Sequence, residues 1–282
     1  MSDTEAHITE VHVDVPRVQA VGRRVVAAAA DFARAARPLR LASRTPATDP
    51  ISLMLSARAD AQRRELGLIG EEAADEVTRM AEFVVAGALH VATLGRRTDL
   101  AIMGLTARPM SDRITVSAPM TRTASPPAEG GWVPESDDEL LSFTVLLADG
   151  ELEVAPAAPA DLVAAATAAA AELAEAAAEL RSALSYGDRA ANALVSFAEW
   201  IHHWAGQVDA IHRAMGEWAA VYREVRAKAE GPAGEYIRWL ASAMSGAAGA
   251  RPESAIAAEI LGQYLQATIP ALELSDYPRL AA

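Results

Sequence analysis

The stretch LVSFAEWIHHWAGQVDAIHRAMGEWAAVYREV, residues 194–225, has apolar side chains at alternating spacings of three and four. The apolar positions are Leu194, Phe197, Ile201, Trp204, Val208, Ile211, Met215, Trp218, Tyr222 and Val225. This spacing keeps the apolar side chains on one side of a helix for more than four heptads. It therefore predicts a long, coiled-coil-like helix with one face in the core, continuing to about Glu230, where Gly231-Pro232 is expected to end it.

The same periodicity predicts helices on both sides of this stretch. An alanine-rich helix is expected from Asp161 to about Leu184, and two shorter helices are expected at about 233–247 and 253–268. Near the N-terminus, a helix is expected to begin near Pro16, with an apolar seam from Val18 to Leu39 that includes Phe32. A second seam, from about 51 to 94, would pair with it as an antiparallel helical hairpin, with a kink or break at Gly67 and Gly70.

The middle of the chain has a different composition and predicts β structure. Leu141, Phe143, Val145 and Leu147 alternate with other residues, and Asp149-Gly150 follows before a second alternating run from Glu151 to Val154. Alternation on both sides of Asp-Gly predicts a β-hairpin. RITVSAP, residues 113–119, is also strand-like, and the N-terminal HITEVHVDV suggests an edge strand or an extended lead-in. The cluster Ser136 to Glu139 is interpreted as a solvated acidic loop.

The predicted fold class is therefore mainly α: elongated helical hairpins or a bundle, with a small β-hairpin insertion between two helical halves. The predicted segments are an N-terminal helical hairpin at 1–108, a β-containing insertion and linker at 109–159, and a C-terminal helical bundle at 160–282.

Composition excludes several classes of function. The 282-residue chain carries a formal net charge of −13, so it is expected to repel nucleic acid and anionic membrane surfaces. The alanine-rich run from Val163 is too weakly apolar for stable membrane insertion. With no cysteine, the chain has no disulfides or thiolate metal sites. The N-terminal sequence lacks the pattern of a classical signal peptide.

One group of polar residues raises the possibility of a metal site or an enzyme. Glu199 and His202, and Asp209 and His212, are spaced as helical ligand pairs, and His203 lies beside them. In the heptad register that begins with Leu194, however, Glu199, His202, His203 and Asp209 face away from the seam, and His212 lies on its flank. A helical ligand- or metal-binding protein or enzyme that uses Glu199, His202, Asp209 and His212 remains the alternative. An apolar ligand pocket beside Trp218 or Trp239 is a further possibility.

Two stretches carry a resemblance to a known family. EVHVDVPRVQAVGRRVVAAAADF, residues 10–32, and EEAADEVTRMAEFVVAGALHVA, residues 71–92, resemble the helical-hairpin substrates of type VII (ESX-type) secretion in actinobacteria. The resemblance covers about residues 8–105. An alanine- and arginine-rich composition, with Lys228 as the single lysine, is also typical of actinobacterial proteins. Trp204-Ala205-Gly206 matches the family's Trp-x-Gly motif, although it lies inside a helix instead of in a turn, and the family's Tyr-x-x-x-acid signal is absent.

The resemblance implies a non-enzymatic protein that works through helix–helix contacts with partner proteins or with further copies of itself. No cofactor is expected. The residues predicted to carry packing or partner contacts are Phe32, Phe197, Trp204, Gly206 and Trp218. The protein is expected to be bacterial, and either cytoplasmic or exported without a classical signal peptide.

Overall fold

The computed structural model describes residues 13–41, 48–102, 132–152, 160–184, 187–247 and 249–278. Within these ranges the chain forms six α-helices, and the prediction of a mainly α fold is confirmed. The helices are α1 (Val15–Ala36), α2 (Pro50–Ile102), α3 (Asp137–Asp149), α4 (Ala160–Ala183), α5 (Asp188–Met244) and α6 (Ala255–Tyr264). A single hydrophobic core draws residues from all six of them.

Helices α1 and α2 form the expected hairpin. The Asp14 side chain accepts the amide of Arg17 at 3.1 Å and so caps the first turn of α1, where Pro16 fits without losing a hydrogen bond. A short 3₁₀ turn, Arg37–Arg40, follows α1 and packs on α2. The apolar seam of α1 is buried along its whole length, from Val18 to Ala36, because it faces α2 on one side and α4 on the other.

Helix α4 lies against α1 and α5, and its small residues allow close packing. Its buried positions include Ala166, Ala170, Ala177 and Ala183, each 0% exposed. Arg24 of α1 adds ion pairs to carboxylates of α4 on the surface, at 2.8–3.1 Å from Glu172, Glu175 and Glu179. Of the predicted N-terminal lead-in, only its last residues are described; Val13 forms an isolated antiparallel bridge with Leu184, and residues 7–12 lie outside the described part.

Helix α5 is the axis of the molecule. Its 57 residues span about 85 Å at 1.5 Å per residue. Every apolar position of the predicted seam from Leu194 to Val225 is buried. Helix α5 packs on α2, α3, α4 and α6, and Phe32 of α1 meets its Trp200 and Trp204 rings, so this helix joins the two ends of the bundle.

The predicted β-hairpin is wrong, because residues 137–149 form α3. The residues that α3 buries are Leu140, Leu141, Phe143, Thr144 and Leu147, and their spacing is helical. Ser136 caps the helix by accepting the amide of Glu139 at 3.2 Å, while the Glu139 carboxylate accepts the amide of Glu135 at 2.6 Å. The acidic stretch at 136–139 is therefore a helix start. The described ranges contain no strand, and RITVSAP and Val154 lie outside them.

Three predicted helix boundaries also change. Pro232 lies inside α5, which continues to Met244, because Ala229, Ala233 and Tyr236 keep the seam buried on both sides of the proline. The expected helix at 233–247 is thus the end of α5, and the last helix is α6, which ends at Tyr264. Helix α2 runs unbroken through Gly67 and Gly70 and extends beyond residue 94.

Candidate functional site

The predicted Trp-x-Gly tryptophan lies at a three-helix junction. Trp204 is fully buried and meets Phe32 of α1 edge to face, with ring centroids 4.9 Å apart. Its indole Nε1–H donates to the carbonyl oxygen of Leu66 on α2 at 2.9 Å. An ideal Cβ at Gly70 would lie 2.9 Å from the Ala36 Cβ and 3.3 Å from the Trp204 ring. The glycine thus permits a close approach of the three helices and does not break α2.

A second aromatic group lies on α5 beneath the chain's last described segment. Phe197 is 0% exposed and stacks on Tyr277 with centroids 6.3 Å apart. Trp200 meets Tyr277 edge to face at 6.0 Å and donates its Nε1–H to the carbonyl oxygen of Ser275 at 2.8 Å. These contacts fix the C-terminal segment against the outer side of α5.

A buried polar network connects the start of α2 to α5 and α6. Asp49 caps α2 by accepting the amide of Ser52 at 2.8 Å, and both residues are 0% exposed. The Ser52 hydroxyl shares a hydrogen bond with the Tyr264 hydroxyl, which accepts the indole N–H of Trp218 at 2.8 Å. Trp218, another predicted packing residue, is therefore held by a hydrogen bond as well as by burial.

Desolvation shifts the titration of this network. Burial raises the pKa of Asp49, and the hydrogen bonds from Ser52 only partly oppose that effect. Burial also raises the pKa of Tyr222 to about 12, and the nearby Asp49 adds to the rise. The pKa of Tyr264 is raised by burial first and by Asp49 second. The Oδ2 atom of Asp49 and the hydroxyl of Tyr222 have no hydrogen-bond partner, so the buried carboxyl is under-satisfied.

The polar residues of the metal or enzyme hypothesis do not converge. Glu199, His202 and His203 are exposed, and His203 contacts the carbonyl oxygen of Glu273 through Nε2 at 2.8 Å. Asp209 pairs with Arg213 at 2.9 Å. Among the residues that the structure describes, there is no group of three or more His, Cys, Asp or Glu side chains placed to hold one metal ion.

His212 is an exception to the outward pattern, because it is only 9% exposed. Its Nδ1 donates to the carbonyl oxygen of Val208 at 2.9 Å, within its own helix. Burial lowers the pKa of His212, and the charge of Arg63 on α2 lowers it further. The flank position that the register predicts for His212 therefore lies under neighbouring structure, where burial disfavours the charged imidazolium.

The five predicted packing or partner residues divide clearly by exposure. Phe32, Phe197, Trp204 and Trp218 are buried against other helices of the same chain. Gly206 is exposed, and a Cβ there would meet nothing within 4 Å. The four aromatic residues thus build the bundle, and their predicted role toward a partner stays a prediction.

Among the residues that the structure describes, exposed large apolar side chains are concentrated on α5 and α2. At the end of α5, Ile237, Leu240 and Met244 share one face at spacings of three and four and are 51%, 38% and 89% exposed. The adjacent Trp239 stacks on Tyr236 with centroids 5.7 Å apart. These three side chains form an accessible apolar stripe at the end of α5.

Other exposed apolar side chains lie on α2. Phe83 and Leu94 are 55% and 46% exposed on one side of the helix, and Leu89, on another side, is 39% exposed and borders a groove of about 520 Å³ between α1 and α2. By length and composition alone, Pro50–Gly95 is a helix that could cross a membrane; its most apolar 18-residue window is 22% buried. A helix of a soluble bundle passes the same test, so the absence of stable membrane insertion stays a prediction.

A further groove, of about 470 Å³, lies between α1 and α4. Its floor is alanine, including Ala28 and Ala169, and charged residues such as Asp31, Arg34 and Glu172 line it. Neither of these two grooves is lined by Trp218 or Trp239, the residues of the predicted ligand pocket.

The sequence analysis did not predict the contacts made by Trp200, Tyr264 and Tyr277, nor the burial of Asp49. Asp49 was recognisable as a helix cap before Pro50, but its burial depends on α5 and α6. Trp200 falls beside the seam of α5, where its contact with the C-terminal segment carries no local signal. Alternating Leu272, Glu273, Leu274 and Ser275 was the available sign that this segment packs in an extended form.

No protein-family model matches the chain, and no curated protein matches it. A solved structure does: the crystal structure of EspB from the ESX-1 type VII secretion system aligns with a TM-score of 0.60 over 96% of this chain and 98% of that one. The two sequences are 11% identical, so the likeness establishes the fold. At that level, the predicted resemblance to type VII secretion-associated helical proteins is confirmed.

Proposed function

We propose that this chain is a type VII secretion-associated substrate that acts without catalysis, through contacts with partner helices or with further copies of itself. The observation that carries the proposal is the likeness of fold to EspB of the ESX-1 system, which extends over 96% of the chain. The likeness includes both the N-terminal hairpin and the long α5, so it covers much more than the region of sequence resemblance.

The distribution of apolar side chains supports action through surfaces. The large aromatic residues of the seams contact other helices of the same chain, as the burial of Trp204 and Trp218 indicates. The stripe of Ile237, Leu240 and Met244 is exposed and has the spacing with which one helix packs on another. It is the face that we assign to a partner helix or a second copy. The polar residues Glu199, His202 and Asp209 diverge and give the enzyme alternative no support.

Export is the first property to test. The tagged protein would be followed in cells and in culture medium of its native host, in strains with and without a working type VII secretion system. We expect the protein in the medium only when the system works, and a cytosolic marker in neither medium. Retention in both strains would remove the exported-substrate proposal.

The partner surface needs a separate test with purified protein. Replacing Ile237 and Met244 with glutamate changes exposed side chains, so the fold should persist by circular dichroism. We expect loss of self-association in light scattering, or loss of partner cross-links in cells. The matched control is Leu53→Glu, which charges a side chain that is 51% exposed on α2. Equal behaviour of both variants would contradict the assignment of this surface.

A further inference from the structure

The C-terminal segment, residues 269–278, runs along α5 as an extended strap. At its start, the preceding Tyr264 contacts Trp218, and near its end Ser275 contacts Trp200. The 18 residues of α5 between the two tryptophans cover about 27 Å of helix. Eleven residues span at most about 36–40 Å when fully extended, so the connection from Tyr264 to Ser275 covers this distance with about a quarter to a third of its reach in reserve.

The strap contacts the bundle in a pattern that suits an extended peptide. Ile269 is buried, and Leu272, Leu274 and Tyr277 are partly buried against the core, whereas Glu273 and Ser275 are exposed. The polar contacts are made by main-chain carbonyl groups of the strap. They accept hydrogen bonds from Trp200 Nε1 and His203 Nε2, each at 2.8 Å.

The surface under the strap is formed by α5 and supported by α1. Phe197 and Trp200 provide its apolar part, and Phe32 lies behind Trp200 with centroids 6.4 Å apart. Two side-chain donors on one helix face thus bind main-chain carbonyls, while the rings of Phe197 and Trp200 contact the Tyr277 ring. Main-chain hydrogen bonds that hold a segment, together with an apolar surface for its side chains, are the means by which extended peptides are recognised.

We propose that this face of α5 is a binding site for an extended segment of a partner chain that carries closely spaced apolar side chains, and that residues 269–278 occupy it as a releasable strap. The strap itself shows which chemistry fits: leucine, leucine and tyrosine at spacings of two and three, with main-chain carbonyl groups between them that accept hydrogen bonds from the helix. The site goes beyond the proposed function, because it takes an extended segment, whereas the stripe at the end of α5 fits a helix.

The test uses the folded full chain. A protease recognition sequence is placed between Gln266 and Thr268, both exposed, so that the strap can be cut after folding. The probe is a fluorescein-labelled peptide with the sequence TIPALELSDYP, residues 268–278. We expect unchanged far-UV circular dichroism after cutting and saturable binding of the peptide. The uncut protein should bind the peptide at least about tenfold more weakly, because its tethered strap competes at high effective concentration.

Variants separate specific binding from adsorption. Trp200→Phe keeps an aromatic ring and removes one hydrogen bond, so the cut protein should bind about fivefold more weakly. Trp239→Phe, at the other end of α5, is the matched control and should leave binding unchanged. A peptide with serine in place of Leu272, Leu274 and Tyr277 should not bind.

Three results would overturn the proposal. Loss of helix on cutting would make the strap an integral part of the core. Retained helix without peptide binding would mean that the face is no receptor, and equal binding of the serine peptide would mean adsorption. Because the assay is done with purified protein, its failure is distinguishable from failure of export.

Discussion

Trp204 on α5 donates a hydrogen bond of 2.9 Å to the carbonyl oxygen of Leu66, in the middle of α2. The two residues are 138 positions apart in sequence, and the bond connects the N-terminal hairpin to the long helix of the C-terminal half. Phe32 of α1 contacts the same indole, so one side chain holds three helices together.

Two substitutions at Trp204 should separate the hydrogen bond from the packing. Trp204→Phe should lower the free energy of unfolding by about 1 kcal/mol, because the bond is lost while an aromatic ring remains. Trp204→Ala should lower it by about 3–5 kcal/mol through the cavity left at the junction. Urea unfolding followed by circular dichroism measures both values. Trp239→Phe, at a partly exposed position, is the control; a similar loss there would mean that the effect is not specific to the junction.

Gly70 should tolerate alanine badly although it lies inside a helix. In a helix, alanine is more favourable than glycine by about 1 kcal/mol. The Cβ of an alanine at position 70, however, would lie 2.9 Å from the Ala36 Cβ. We expect Gly70→Ala to destabilise the protein by about 1–3 kcal/mol through overpacking. Gly87→Ala in the same helix meets nothing within 4 Å and should stabilise it by about 0.5–1 kcal/mol. Thermal or urea unfolding of the two variants should therefore give shifts of opposite sign.

The helices that the sequence predicts well are those with a long and regular apolar seam. From Leu194 to Val225 the period is repeated often enough to exclude a strand. The run around Leu141, Phe143 and Leu147 is shorter, and its apolar positions fit both a strand and a helix. The cap formed by Ser136 and Glu139 is the feature of the sequence that indicates a helix, α3, instead of a strand. The strap could not be predicted, since its position depends on Trp200, which is far away in sequence.

Asp49 should make stability depend on pH in the direction opposite to that of a salt-bridged aspartate. Burial raises its pKa in the folded protein above the value in the unfolded chain. The contribution of Asp49 to stability is therefore fully present at pH values below its pKa in the unfolded chain. It is lost as the pH rises through the higher pKa that Asp49 has in the folded protein. The groups that face Asp49 are Ser52, Tyr222 and Tyr264, and none of these supplies a positive charge; Arg226 donates instead to the carbonyl oxygen of Ala148.

Asp49→Asn tests this directly, because asparagine caps a helix as well as aspartate does and carries no charge. At neutral pH the variant should be the more stable protein, and its advantage should shrink as pH falls toward the ordinary range of aspartate. The measurement is the difference in free energy of unfolding between variant and parent across pH 4–8. Asp14→Asn, at the cap of α1, controls for the substitution itself. A difference that is constant across this pH range would refute the role given to burial.

Replacing Pro232 tests whether α5 is continuous through this position or ends at Gly231. Inside a helix a proline lacks one amide and its ring crowds the preceding turn, at a cost of about 3 kcal/mol relative to alanine. The helix continues past it because Ala233 and Tyr236 remain buried, and because the Tyr236 hydroxyl donates to Asp138 of α3 at 3.2 Å. We therefore expect Pro232→Ala to raise the free energy of unfolding, by up to about 3 kcal/mol in urea titrations. Pro252→Ala, in the connection before α6, removes a proline outside any helix and should not stabilise the protein. If α5 instead ended before Pro232, the proline would occupy the first turn of a new helix, where it is favoured, and Pro232→Ala would be neutral or destabilising.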